Sequence, residues 1–105
     1  MTIQINTDRN IVENENQLSF LKKTIEVSLE NYSEHITRIE VHLSDENGNK
    51  EELNDKRCLL EARLEGRQPI AVTSHANTIE NALNDAIKKI TASLKTILGK
   101  MKNQY

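Results

Sequence analysis

A chain of 105 residues with 36% apolar and 29% charged side chains is long enough for one core, and with 3% aromatics that core has to be aliphatic. Its single cysteine, Cys58, excludes an internal disulfide. No apolar run has signal-peptide length or approaches the roughly 18 residues that cross a membrane, which fits one cytoplasmic domain over residues 1–105.

Thr2 to Asn6 alternates polar and apolar, with Ile3 and Ile5 on one face, and predicts a short strand. Leu18, Leu21, Ile25, Leu29 and Tyr32 recur at helical spacing, so a first amphipathic helix is expected from about Glu15 to Tyr32. Asn14 is its expected N-cap, with Gln17 three residues on as in a capping box. Phe20 and Val27 fall off the main stripe; they are expected to face the second helix, the alternative being that they are exposed and mark a contact. Ile36 to Ser44 alternates again, with Ile39, Val41 and Leu43 inward and Arg38, Glu40 and His42 outward. A polar hairpin loop with an Asn47-Gly48 turn signal follows.

Arg57 to Glu65 repeats the alternation, with Cys58, Leu60, Ala62 and Leu64 inward and Arg57, Leu59, Glu61 and Arg63 outward. Gly66 supplies a tight turn, and Pro69 to Ser74 is a further strand whose leading proline suits an edge. Asn77 is the expected cap of a second helix, with Glu80 three residues later. The order β-α-β-β-β-α implies an α+β fold: a parallel crossover, two antiparallel hairpins, and a four-stranded mixed sheet with both helices on one face. Gln4, Arg38, Glu40, His42, Arg57, Glu61, Arg63 and Thr73 then form a polar outer face.

The second helix carries the charge signal. All 16 acidic residues lie in residues 1–85, which net −7, while residues 86–105 hold five lysines and net +5. Ile79, Leu83, Ile87, Ile90, Leu94, Ile97, Leu98 and Met101 cluster on one arc of this helix. Lys88, Lys95 and Lys102, seven apart, form a stripe on the far side, and Lys89 and Lys100 form a second on its flank. A solvated face near a helix C-terminus would account for lysines as such. The lack of any interspersed acid points further, to a polyanion and nucleic acid first, because an ordinary surface helix mixes signs.

Catalytic chemistry finds little support. Cys58 falls among inward leucines, as a structural cysteine does. His35, His42 and His75 lack metal-ligand spacing. Asp45-Glu46-Asn47 begins like a calcium loop, but position six is Lys50 and position twelve is Lys56. Three glycines make no phosphate-binding loop. The expectation is a non-enzyme with no metal and no cofactor.

The stretch Ile36-Thr37-Arg38-Ile39-Glu40-Val41-His42-Leu43-Ser44-Asp45-Glu46-Asn47-Gly48, then Asp55-Lys56-Arg57-Cys58 and Glu61-Ala62-Arg63, resembles the ribosome hibernation promoting factor family. That family is also described as ribosome-associated translation inhibitors and as sigma-factor modulation proteins. Ala86-Ile87-Lys88-Lys89-Ile90 to Leu94-Lys95, then Lys100 and Lys102, resembles its basic second helix. The resemblance runs from Ile3 through Lys102 and implies a short-form member with a fold like that of double-stranded-RNA-binding domains. It implies binding to 16S rRNA of the small ribosomal subunit, in the channel used by mRNA and tRNA, with translation inhibited and idle ribosomes preserved. The residues expected to meet rRNA are Lys88, Lys89, Lys95, Lys100 and Lys102, with Lys22 and Lys23 on the first helix and Arg38, Arg57 and Arg63 on the sheet. A monomer off the ribosome is expected, with no membrane and no small-molecule substrate. The alternative is a protein–protein module that does not bind RNA.

Overall fold

The computed structural model describes residues 1–8, 14–46 and 55–102, with side chains through residue 99. Its elements are β1 (Thr2–Thr7), α1 (Glu15–Ser28), a 3-10 turn (Glu30–Tyr32), β2 (Ile36–Asp45), β3 (Lys56–Leu64), β4 (Ile70–Ala76) and α2 (Ile79–Lys102). They form one four-stranded sheet in the order β1-β2-β3-β4. β1 and β2 are parallel, and the two following pairs are antiparallel. The β-α-β-β-β-α order and mixed sheet are those the alternation predicted.

Register explains the core. Ile3 lies beside Ile39 and Ile5 beside Val41. Val41 faces Leu60, Leu43 faces Cys58, and Leu60 faces Val72. These side chains share one face of the sheet because the strand period is two. Leu21, Ile25 and Leu29 of the first helical segment and Ala82, Leu83, Ala86, Ile87, Ile90 and Leu94 of α2 close over that same face in a single buried cluster. The two helices therefore lie side by side on one face. Both follow strands of one direction, so they run the same way, and Gln17 Nε2 donates to Glu80 Oε1 at 3.2 Å where they begin.

Four local expectations shift. The first helix ends at Ser28, and Tyr32 belongs to the 3-10 turn rather than to α1. Asn14 does cap α1, its Oδ1 accepting from Gln17 N at 2.8 Å, but the Gln17 side chain reaches Glu80 rather than back to the cap. Thr78, not Asn77, caps α2: Asn81 N donates to Thr78 Oγ1 at 3.1 Å and Ala82 N to Thr78 O at 3.0 Å. The helix begins one residue later than the Asn77–Glu80 pattern implied, so the hydroxyl just ahead of Ile79 takes the role. Phe20 and Val27 do not face α2; they are 62% and 61% exposed. Each helix buries its own stripe on the sheet, and the side of α1 toward α2 carries the polar Gln17–Glu80 pair instead.

Pro69 lies one residue ahead of β4, which is an edge strand as expected. Gly66 turns the chain between β3 and β4 with φ +71°, a conformation that favours glycine. Thr37 donates through Oγ1 to Arg63 O at 3.1 Å where the β2–β3 register shifts. The Asn47-Gly48 turn lies outside the described residues. No helix among the described residues is long and apolar enough to cross a membrane.

Candidate nucleic-acid interface

Twenty-four residues of α2 rise about 36 Å, while the fourteen of α1 rise about 21 Å. The longer helix is held down along its length by Leu83, Ile90 and Leu94, each with 1% exposure or less. Lys88 and Lys95 stand on its opposite, solvent side and have no ion pair with any described residue. Seven residues separate them, about 10.5 Å along the axis. That exceeds the ~8 Å screening length at physiological salt, so the like charges cost the helix little. The sequence can therefore keep an unmixed basic stripe without melting it.

Lys89 goes elsewhere. Its Nζ donates to Thr73 O at 2.7 Å, satisfying a carbonyl on the edge strand β4. A lysine laid on an open edge also discourages pairing with another chain. The side chains of Lys100 and Lys102 lie outside the described residues. On α1, Lys22 and Lys23 are exposed but diverge. Lys22 lines a depression of about 360 Å³ with Ile3, Ile5 and Leu18, and Lys23 one of about 310 Å³ with Met1, Glu26, Val27 and Glu30.

The arginines of the outer sheet face are engaged. Arg38 Nε donates to Glu40 Oε1 at 3.2 Å, and Arg38 Nη2 also donates to Gln4 Oε1. Arg63 pairs with Glu61 at 3.1 Å and with Glu40 at 3.5 Å. Arg57 lies 3.6 Å from Glu46, which also sits 3.2 Å from His75. Arg38, Arg57 and Arg63 thus each face a carboxylate, and their charge is offset locally. Near the far end of α2, Arg67 in the β3–β4 turn lines a depression of about 640 Å³ with Leu64, Gly66, Gln68 and Ile97. It is an exposed cation that the sequence pattern gave no reason to select, because only the turn brings it beside the helix.

Elsewhere the polar groups are structural. Lys56 Nζ sits 3.1 Å from Asp45 and 3.0 Å from Asp55, both buried carboxylates at the base of the β2–β3 hairpin. Hydrogen bonds to Asp55 and then Asp45 raise the Lys56 pKa above its ordinary 10.5. Cys58 is fully buried, and burial pushes its thiol up to about 12 against a small opposing effect of Arg57. A thiol held protonated is a poor nucleophile. Among the described residues no group of three or more His, Cys, Asp or Glu side chains is gathered to hold a metal.

Two solved structures share the architecture. The Thermus thermophilus Protein Y N-terminal domain superposes with a TM-score of 0.72 at 16% identity, covering 92% of this chain and 99% of that one. A ribosomal subunit interface protein from Coxiella burnetii superposes with a TM-score of 0.67 at 19% identity, covering 99% of this chain and 100% of that one. No curated protein sequence matches. The model of one protein family matches residues 4–102, nearly the whole described fold. By that match the chain belongs to the family described as Sigma 54 modulation protein / S30EA ribosomal protein.

Proposed function

We propose that this protein is a non-catalytic, cytoplasmic ribosome-associated factor. It binds 16S rRNA of the small subunit in the channel used by mRNA and tRNA. There it inhibits translation and promotes ribosome hibernation under stress or in stationary phase. The observation that carries this is the exposed stripe of α2. Lys88 and Lys95 project from a rigid helix with no described ion pair, and no acid follows Asp85 in the sequence. Membership of a family whose description includes a ribosomal protein supports the choice of ribosomal RNA among polyanions.

Such lysines would meet phosphates and fix the protein by RNA shape, without reading base sequence. The ion-paired arginines of the sheet contribute less, since each would have to leave a carboxylate to meet a phosphate. The test is sucrose-gradient sedimentation of a stationary-phase lysate, probed for this chain. Co-sedimentation with small-subunit or 70S fractions, lost in high salt, is the expected result. The protein staying at the top of the gradient at low salt would contradict the proposal.

A further inference from the structure

The chain contains one phenylalanine, and that residue stands in water. Among the described residues every buried apolar side chain is aliphatic or Cys58, whereas Phe20 is 62% exposed. Lys23, one turn on, and Val27, two turns on, continue the same exposed side of α1. Side chains three apart on a helix have Cβ atoms about 5–6 Å apart. A flat apolar ring with a cation at that distance suits a single unpaired nucleotide, whose base can stack while its phosphate reaches the ammonium group.

We infer that Phe20 is a stacking platform for one unpaired RNA base, with Lys23 holding that nucleotide's phosphate. The inference rests on the rRNA-binding proposal above and adds to it a contact with an unpaired base. A ring cannot insert into an intact duplex without unstacking it, so the ligand is a loop or splayed base. One aromatic gives one such contact, and the phosphate-bound lysines of α2 still dominate affinity. Glu26 and Glu30 share the 310 Å³ depression with Lys23 and would repel the strand there. The strand therefore leaves Lys23 on the Phe20 side. Phe20 is one turn along α1 from Gln17, whose side chain reaches Glu80 at the start of α2. A protein partner fits less well, because Phe20 and Val27 are interrupted by Lys23 and fall short of the several-hundred-Å² apolar patch such docking uses.

The test compares wild type with Phe20→Leu and Phe20→Trp, using 30S subunits across a salt series and single-stranded polyuridine at low salt. Circular dichroism checks the fold, which an exposed position leaves intact. Phe20→Leu should bind both RNAs roughly five- to a hundredfold more weakly, with the salt slope unchanged. Phe20→Trp should keep its affinity, and its emission, the only tryptophan signal in the chain, should be quenched by polyuridine. If wild type binds 30S and Phe20→Leu binds equally well, the stacking role is wrong. Weakened 30S binding with no quenching by polyuridine would mean that Phe20 meets a ribosomal protein, and would also overturn it. If wild type fails to bind 30S at all, the rRNA proposal itself falls, and this one with it.

Discussion

Cys58 and Lys56 both make stability depend on alkaline pH, and they act in separable windows. The Cys58 thiol moves from an ordinary 9.0 up to about 12 on folding. Above pH 9.0 the unfolded chain loses this proton while the folded chain keeps it, so stability falls as pH rises toward 12. The slope is at most about 1.4 kcal/mol per pH unit. Lys56 also has a raised folded value, so its contribution is complete below 10.5 and is lost as pH rises through that folded value. Between pH 9.0 and 10.5 the thiol acts alone of the two. Urea midpoints measured across that window should fall for wild type and stay flatter for Cys58→Ala. Equal declines in the two proteins would show that burial of the thiol is not responsible. The sequence placed Cys58 inward because strand alternation is a local rule. It gave no sign that Lys56 would bridge two buried aspartates, because that depends on where the hairpin closes.

At the level of elements, periodicity located the strands and both helices of the described residues, and errors fell at the helix ends and in the facing of Phe20 and Val27. Caps compete over one or two residues, and Asn77 and Thr78 are both chemically suited to the role. Thr78→Ala should cost about 1 kcal/mol in a denaturant titration, because an amide of the first turn loses its acceptor. A change below about 0.3 kcal/mol would return the cap to another residue. Phe20 and Val27 were harder to place, since helical period gives a side chain's angle but not how far apart two neighbouring helices sit. Lys89 shows the same limit. Sequence spacing set it on a basic flank, but only the nearness of β4 turns it onto Thr73 O. Lys89→Gln should accordingly flatten the salt slope of ribosome binding by less than Lys88→Gln does. Equal effects would mean that Lys89 leaves the edge strand when RNA binds.

Over the whole molecule, the separation of charge is the feature that sequence and structure express together. An acidic body and an acid-free helix end were countable from composition. The sheet holds that helix with its apolar stripe down and Lys88 and Lys95 outward. Pairing of Arg38, Arg57 and Arg63 with glutamates was not countable, since it depends on cross-strand register and on side-chain reach. It leaves Lys88 and Lys95 of α2 as outward-facing cations with no ion pair among the described residues. The most direct test of this account is 30S binding of wild type and a Lys88→Gln, Lys95→Gln, Lys102→Gln variant across a salt series, with circular dichroism as the folding control. Each phosphate neutralised contributes roughly −0.7 to −0.9 to the slope of log affinity against log salt, so the triple variant should be flatter by about two to three units. Glutamine keeps helix propensity, and the fold should survive. A folded triple variant that binds with wild-type affinity and slope would contradict the account, and would reduce the lysines of α2 to a solvated face.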